Sequence, residues 1–466
     1  MAKKRRPRDT TRPRKTSLPA GLERVNLHAA GIDVGATEHV VAVPPGSDRE
    51  GQDVRSFGAF TCELVALADW LEACGVSTVA MESTGVYWIP LYEVLEVRGF
   101  EVLLVDPRRL KHVPGRKTDV IDCQWIQQLH TFGLLSGAFR PTAEVCALRA
   151  YVRQRAMLVI AAGEHIQHME KALTQMNIKL QHVVSDVSGV TGMAIIRAIV
   201  GGERDSHRLA TLRQPGCHSD EATIARALEG NWRPEHLFAL RQAVELYDVY
   251  RAQILACDRV IEHHLACMED RSAGKTLEAA RASARRKNEV SFDLRGALFR
   301  MTGVDLTRIE GVQAHTALKV IAEIGTDVTR WPTAKHFASW LGLCPGNKKS
   351  GGRMLSGKTK PCANRAATAL RLAAQSLWHS HSALGAFLRR KATQRGMPKA
   401  ITATAHKLAR LIYTILRYGT EYFAKSQEHY EQQFLKRSIA NLKRRAKAMG
   451  FNLVPSENPE SQAATA

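Results

Sequence analysis

The sequence predicts an α/β domain joined to all-α regions, and three observations carry that reading. Residues 27–140 alternate short apolar runs with stretches of helical spacing. Strand signals vanish from about 142 to 295. From about 296 to 430 short helical stretches separated by glycine turns form a compact all-α region.

In chain order, "AAGIDVG" is an apolar run ending in Asp33 and a glycine. "VVAV" follows as a second strand and "DVRSFGAF" as a third. "CELVALADWLEACG" has helical spacing and a stop at Gly75. "VSTVAMEST" is a strand, "YWIPLYEVLEVRG" a helix, "FEVLLVD" a strand and "DVIDCQWIQQLHTFG" a helix. No glycine-rich dinucleotide fingerprint follows the first strand.

In residues 141–295 a seam of Leu237, Leu240, Val244, Tyr247, Ile254, Ile261, Leu265 and Met268 recurs near helical spacing, interrupted by Arg251 and Asp258. A long antiparallel helical hairpin and a dimerising coiled coil both fit it. In residues 296–430, "LTRIEGVQAHTALKVIAEIG" reads as helix, glycine turn, helix. Such a helix-hairpin-helix-like element offers backbone N–H groups to a phosphate, and an ordinary tight turn fits equally. Residues 1–26 form a basic, disordered arm and residues 431–466 a basic, poorly ordered tail.

The chain of 466 residues has a net charge of +21, which favours a polyanionic partner, nucleic acid above all. No run of roughly 18 apolar residues crosses a membrane, and the basic N-terminus has no apolar core of a secretory signal. The nine cysteines are scattered without a C-x-x-C, as in a reduced, cytoplasmic protein. Cys257, His263, His264 and Cys267 lie close in sequence but read as one helix rather than a zinc site.

Four carboxylates stand where an α/β sheet gathers them. Asp33 ends the first strand and Glu82 ends "STVAME". Asp119 and Asp122 open a helix at i, i+3 and so face one way. Strand ends and neighbouring helix starts form the ligand cleft of open α/β sheets. Clustered carboxylates need a cation, and Mg2+ prefers oxygen ligands. Arg108, Arg109, Lys111, Arg116 and Lys117 precede the Asp pair as a basic loop through which a polyanion would approach.

"GIDVG", "MESTGVYWIPLYEVL", "VDPRRLK" and "RKTDVIDCQWI", followed by "ASWLGLCPGNKKSGGR" and "GKTKPCANR", resemble the DEDD-type insertion-sequence transposases of the IS one-ten family. The resemblance covers about 27–140 and 300–425. It implies a RuvC-like, RNase H-type nuclease fold for 27–140, with Asp33, Glu82, Asp119 and Asp122 as the metal-binding catalytic set. It implies a serine-bearing transposase domain near the C-terminus. The family's loop is usually S-S-G-G, whereas this chain has Lys349, then Ser350, Gly351 and Gly352. Ser350 is therefore the expected nucleophile, with Ser356 the runner-up. The implied reaction is cutting and rejoining of DNA through a phosphoserine intermediate, with carboxylates and serine meeting across the fold or between subunits.

Implied partners are donor and target DNA, a structured bridge RNA, and further copies of the chain in a dimer or tetramer, in the bacterial nucleoid. A Holliday-junction-resolvase-like nuclease would share the fold without needing Ser350. A non-catalytic nucleic-acid binder would need neither site.

"GRMLSGKT", residues 352–359, also fits the nucleotide-loop pattern G-x-x-x-x-G-K-[ST]. No strand precedes it, and Pro361 sits where the helix would be gaining hydrogen bonds. The stretch reads instead as the mounting of Ser350, with Lys348, Lys349, Gly351, Gly352, Arg353 and Lys358 against a nucleic-acid backbone.

Overall fold

The computed structural model describes residues 23–107, 119–279, 287–419 and 427–454. The chain divides into two compact units, 1–140 and 141–466.

The first unit is built on a five-stranded sheet in the order β3-β2-β1-β4-β5. β1 (Ala29–Val34), β2 (Glu38–Ala42) and β3 (Val54–Gly58) form an antiparallel meander. Helix α1 (Thr61–Ala73) then leads to β4 (Thr78–Glu82), which pairs parallel to β1. Helix α2 (Trp88–Val97) leads to β5 (Glu101–Val105), parallel to β4. Helix α3 (Asp119–Thr131) follows. The mixed α/β architecture is the one expected from the sequence.

The apolar run of β1 is explained by burial on both faces. Ile32 and Val34 join Val79, Met81, Leu67, Leu71, Leu91 and Leu95 in one core. The opposite face packs against α3, where Cys123 meets Val40 and Ala42, and Ile126 meets Ala80 and Val105. Gln127 on α3 donates to the Ala29 carbonyl of β1 at 3.2 Å.

The second unit opens with two long helices, α4 (Ala143–Gln175) and, later in the chain, α9 (Pro234–Cys267). They run antiparallel: His264 meets the Glu144 carbonyl, Asp258 meets Arg155, and Tyr250 stacks on His165. The hairpin alternative is thus realised within one chain. Leu240, Val244, Tyr247, Ile254, Ile261 and Leu265 are buried along the seam. Asp258 does not interrupt it. It is buried too, paired with the buried Arg155 and accepting the Ser291 N–H at 3.0 Å. Between the long helices, α5 (Leu180–Val183), α6 (Val190–Val200), α7 (Ser206–Ala210) and α8 (Glu221–Ala227) close one apolar core with Met169, Leu173 and Leu240.

Next come α10 (Leu294–Thr302), α11 (Ala314–Ile324), α12 (Ala334–Trp340), a hairpin of β6 (Lys348–Ser350) and β7 (Arg353–Ser356), α13 (Arg365–Ser376), α14 (Ala383–Arg395) and α15 (Met397–Tyr418). Helix α15 is strongly two-faced and packs on α12, α13 and α14. Its Tyr413 hydroxyl donates to the Trp331 carbonyl at 2.7 Å.

Two expectations are corrected here. The first limb of the supposed helix-hairpin-helix is a single 3-10 turn, Leu306–Arg308, before the glycine turn and α11. The Asp305 carboxylate accepts the Thr307 N–H at 3.0 Å and pulls the chain tight there. The tail expected to be poorly ordered carries helix α16 (Gln427–Ala448), packed on α14. That stretch has no Gly or Pro, and Glu428 near its start and Arg445 and Lys447 near its end complement the helix dipole. The expected arm falls largely on residues 1–22, and the end of the tail on 455–466; both lie outside the described residues.

Candidate active site

Asp33 and Glu82 come together because their strands are parallel neighbours. Ile32 pairs with Met81, so Asp33 and Glu82 stand side by side one step further on. Alternation along the strands puts both on the face of Gly31 and Ala80, the face that α3 covers. Each is half-buried. The Thr84 hydroxyl donates to Glu82 Oε1 at 2.7 Å.

Gly31 sets the position of α3. A Cβ there would lie 2.5 Å from the Cys123 carbonyl oxygen and 2.7 Å from Gln127 Cα, so only glycine lets the helix backbone come so close. This brings the first turn of α3, with Asp119 and Asp122, to the end of β1. Asp122 is half-buried and Asp119 exposed. The Cys123 thiol is pushed up to about 12, first by burial and then by the negative charges of Asp33 and Asp122. Two of the four carboxylates therefore act on one buried thiol.

Among the described residues, no three His, Cys, Asp or Glu side chains are arranged to hold a metal ion. Magnesium does not require three, since one or two carboxylates plus substrate phosphates commonly suffice. The donor set of hard carboxylate oxygens, with Asp33 beside Glu82, fits that use. Asp106 directly follows β5 and is half-buried, a further carboxylate at the same edge of the sheet that sequence reasoning did not single out. Its signal was its place at the end of an apolar strand. The basic loop of Arg108, Arg109, Lys111, Arg116 and Lys117 lies outside the described residues.

Ser350 ends β6 in the second unit and is exposed. It pairs with Arg353 across a two-residue turn, Gly351 and Gly352, at φ +53° and +76°. Positive φ at both positions makes a type I′ turn, which glycine adopts without strain. Lys348 pairs with Ser356, with one extra residue on β7. Ser350, Arg353, Lys348 and Ser356 thus share one face of the hairpin, and Lys349 and Met354 share the other. Both candidate serines lie with two cations between them. Ser356 is half-buried, and its Oγ accepts the Lys358 N–H at 3.3 Å. The root of the hairpin is closed by pairing of Pro345 with Thr359. A short strand, β6, thus precedes residue 352 where none was expected in a region read as all-α, but it pairs back on β7 as a hairpin, and helix α13 does not begin until Arg365, so no nucleotide loop forms.

Cys257, His263, His264 and Cys267 do not converge. Cys257 packs against the helical core, His264 bonds the Glu144 carbonyl at 2.8 Å, and Cys267 lies 3.7 Å from His263. No helix among the described residues is long and apolar enough to cross a membrane.

Two family models match the chain. The model of the IS110-type DEDD transposases matches residues 30–178, and that of the transposase IS116/IS110/IS902 family matches residues 305–389. The first match contains Asp33, Glu82, Asp119 and Asp122, and the second contains Ser350 and Ser356. No curated protein matches the chain. With both family segments present in order, this chain is a DNA transposase/recombinase and belongs to the IS110 family of DEDD transposases.

Proposed function

We propose that the chain cuts and rejoins DNA with a Mg2+-dependent carboxylate site of RuvC-like type and a serine nucleophile, guided by a bridge RNA. The observation that carries this reading is that Asp33 and Glu82 stand one step beyond the Ile32–Met81 pair of parallel strands, on the face that α3 covers. Asp33 and Glu82 would hold the metal together with substrate phosphates, and Asp122 and the exposed Asp119, at the start of α3, would complete the carboxylate set once DNA is bound. Bound magnesium supplies charge neutralisation for the phosphate oxygens as negative charge builds on them.

The Ser350 hydroxyl forms an O–P bond to the scissile phosphate, loses its proton and expels a deoxyribose hydroxyl, which takes up a proton. A second deoxyribose hydroxyl then reverses the step and frees the serine, so the bond energy is kept for rejoining. An unassisted serine hydroxyl is a weak nucleophile and requires activation. Lys348 and Arg353 share the serine's face of the hairpin and would steady the attacked phosphate. Lys349, Gly351, Gly352 and Lys358 let a backbone come close to the hairpin.

The charge of +21 suits a protein that holds RNA and DNA together, leaving sequence to base pairing. Assembly as a dimer or tetramer is supported by apolar side chains left exposed on the long helices, among them Met157, Ile160, Leu246 and Val249.

The test is Asp33→Asn and Asp122→Asn in the full chain, purified with its nucleic acid retained and sequenced. Each variant is expected to lose Mg2+-dependent strand cleavage while keeping its fold and its bound RNA. Full recombination by either would remove the metal-site reading, and the absence of a discrete co-purifying RNA would remove the guide.

A further inference from the structure

Three helices of the second unit, with α14 packed on both α15 and α16, carry five cations. Arg390 and Lys391 come from α14, Lys407 and Arg410 from α15, and Arg437 from α16. Aromatic rings fix two of them: the Lys407 ammonium lies 3.6 Å from the Phe387 ring centroid, and the Arg390 guanidinium 3.2 Å from that of Phe434. Lys407 is pushed down to about 8, first by burial, then by the charges of Arg437, Arg390, Lys391 and Arg410. The carboxylates that α16 offers, Glu428 and Glu431, are both exposed, and its later turns add Lys436, Lys443, Arg444, Arg445 and Lys447. Helices α14 and α15 contain no carboxylate at all, so this face is strongly basic and suits a polyanion.

The cluster is not isolated from the serine hairpin. The charge of Arg410 also acts on Cys344, the residue just before the Pro345–Thr359 pair at the hairpin root. Helix α15, which carries Lys407 and Arg410, packs on α12, the helix from which the chain leads into the strands carrying Ser350.

We propose that Arg390, Lys391, Lys407, Arg410 and Arg437 form a binding site for the backbone phosphates of the DNA whose end is held at Ser350. Five cations from three rigid helices grip phosphates without reading bases, so the site positions the strand rather than selecting its sequence. The proposal rests on the DNA-joining reading of the serine hairpin.

The test compares the full chain with the triple variant Arg390→Gln, Lys407→Gln and Arg437→Gln. A control triple removes equal charge elsewhere: Lys171→Gln, Arg226→Gln and Arg241→Gln. Binding to a mixed-sequence DNA duplex and to an RNA duplex of the same sequence is measured across a salt series. The site variant is expected to bind DNA at least about tenfold more weakly, with its log–log salt slope shallower by about 3, while the control stays near wild type. Unchanged DNA affinity and slope in the site variant would overturn the proposal, as would a loss confined to RNA. Wild-type protein that binds no DNA at all would instead overturn the DNA-joining reading, and this site with it.

A second measurement uses the unaltered protein, so it does not depend on the variant folding. Lys407 should react readily with an amine-acylating reagent near neutral pH, and DNA should protect it. Equal modification with and without DNA would overturn the site.

Discussion

Gly31 on β1 and Cys123 on α3 meet backbone to backbone, so closely that a Cβ on Gly31 would lie 2.5 Å from the Cys123 carbonyl oxygen. The contact is what brings the first turn of α3 to the strand that carries Asp33. Gly31→Ala is expected to push the helix off the sheet. Overpacking of this kind costs about 1–3 kcal/mol of stability, read by denaturant unfolding. DNA cleavage should fall further than the stability loss explains, because Asp122 moves with the helix. Unchanged stability and cleavage in Gly31→Ala would contradict the role given to this contact.

A buried ion pair joins the two long helices. Arg155 and Asp258 are almost wholly buried, and their remaining valences go to the Asn288 carbonyl and the Ser291 N–H. Asp258→Ala leaves a buried guanidinium without its partner and should destabilise the second unit by about 3–5 kcal/mol. Replacing both, Arg155→Met with Asp258→Leu, should recover most of that loss. A double variant no more stable than the single would show that the pair contributes beyond mutual neutralisation.

His315 on α11 gives the stability a pH dependence. Its Nδ1 is buried without a hydrogen-bond partner. Burial first, then the charges of Lys319 and Arg155, push it from 6.5 down to about 4, with Asp258 opposing. The unfolded chain therefore binds the proton more readily than the folded one, and stability falls as pH drops from 6.5 towards 4. The full loss is about 3 kcal/mol, and His315→Gln should flatten this part of the profile. Denaturation midpoints measured across that pH range check it; identical slopes in the two proteins would assign the acid sensitivity elsewhere.

Much of the first unit was legible because β1, β2 and β4 are buried on both faces and read as apolar runs. Asp33 stood out as a charge within such a run, and Glu82 as its counterpart on the parallel strand. Asp119 and Asp122 were grouped with Asp33 from their place at a helix start, but the contact that sets how closely α3 approaches β1 was not legible, since it depends on Gly31, whose importance lies in what it omits. Asp258 was misread as a break in the helical seam because its partner, Arg155, lies on the other long helix. Spacing within one helix carries no trace of such a pair. The serine hairpin was seen as turn formers and cations, but the face shared by Ser350, Lys348, Arg353 and Ser356 depends on an extra residue in β7, which only the pairing register reveals. Helix α16 was missed because its charge outweighs its apolar positions.

The chemistry turns on which atom holds the DNA. The full chain, with its nucleic acid and Mg2+, is denatured and digested, and the DNA-linked peptide is sequenced by mass spectrometry. The account predicts a phosphodiester to Ser350, lost in Ser350→Ala and retained in Ser356→Ala. An adduct that survives in Ser350→Ala, or one mapped to Ser356, would contradict it.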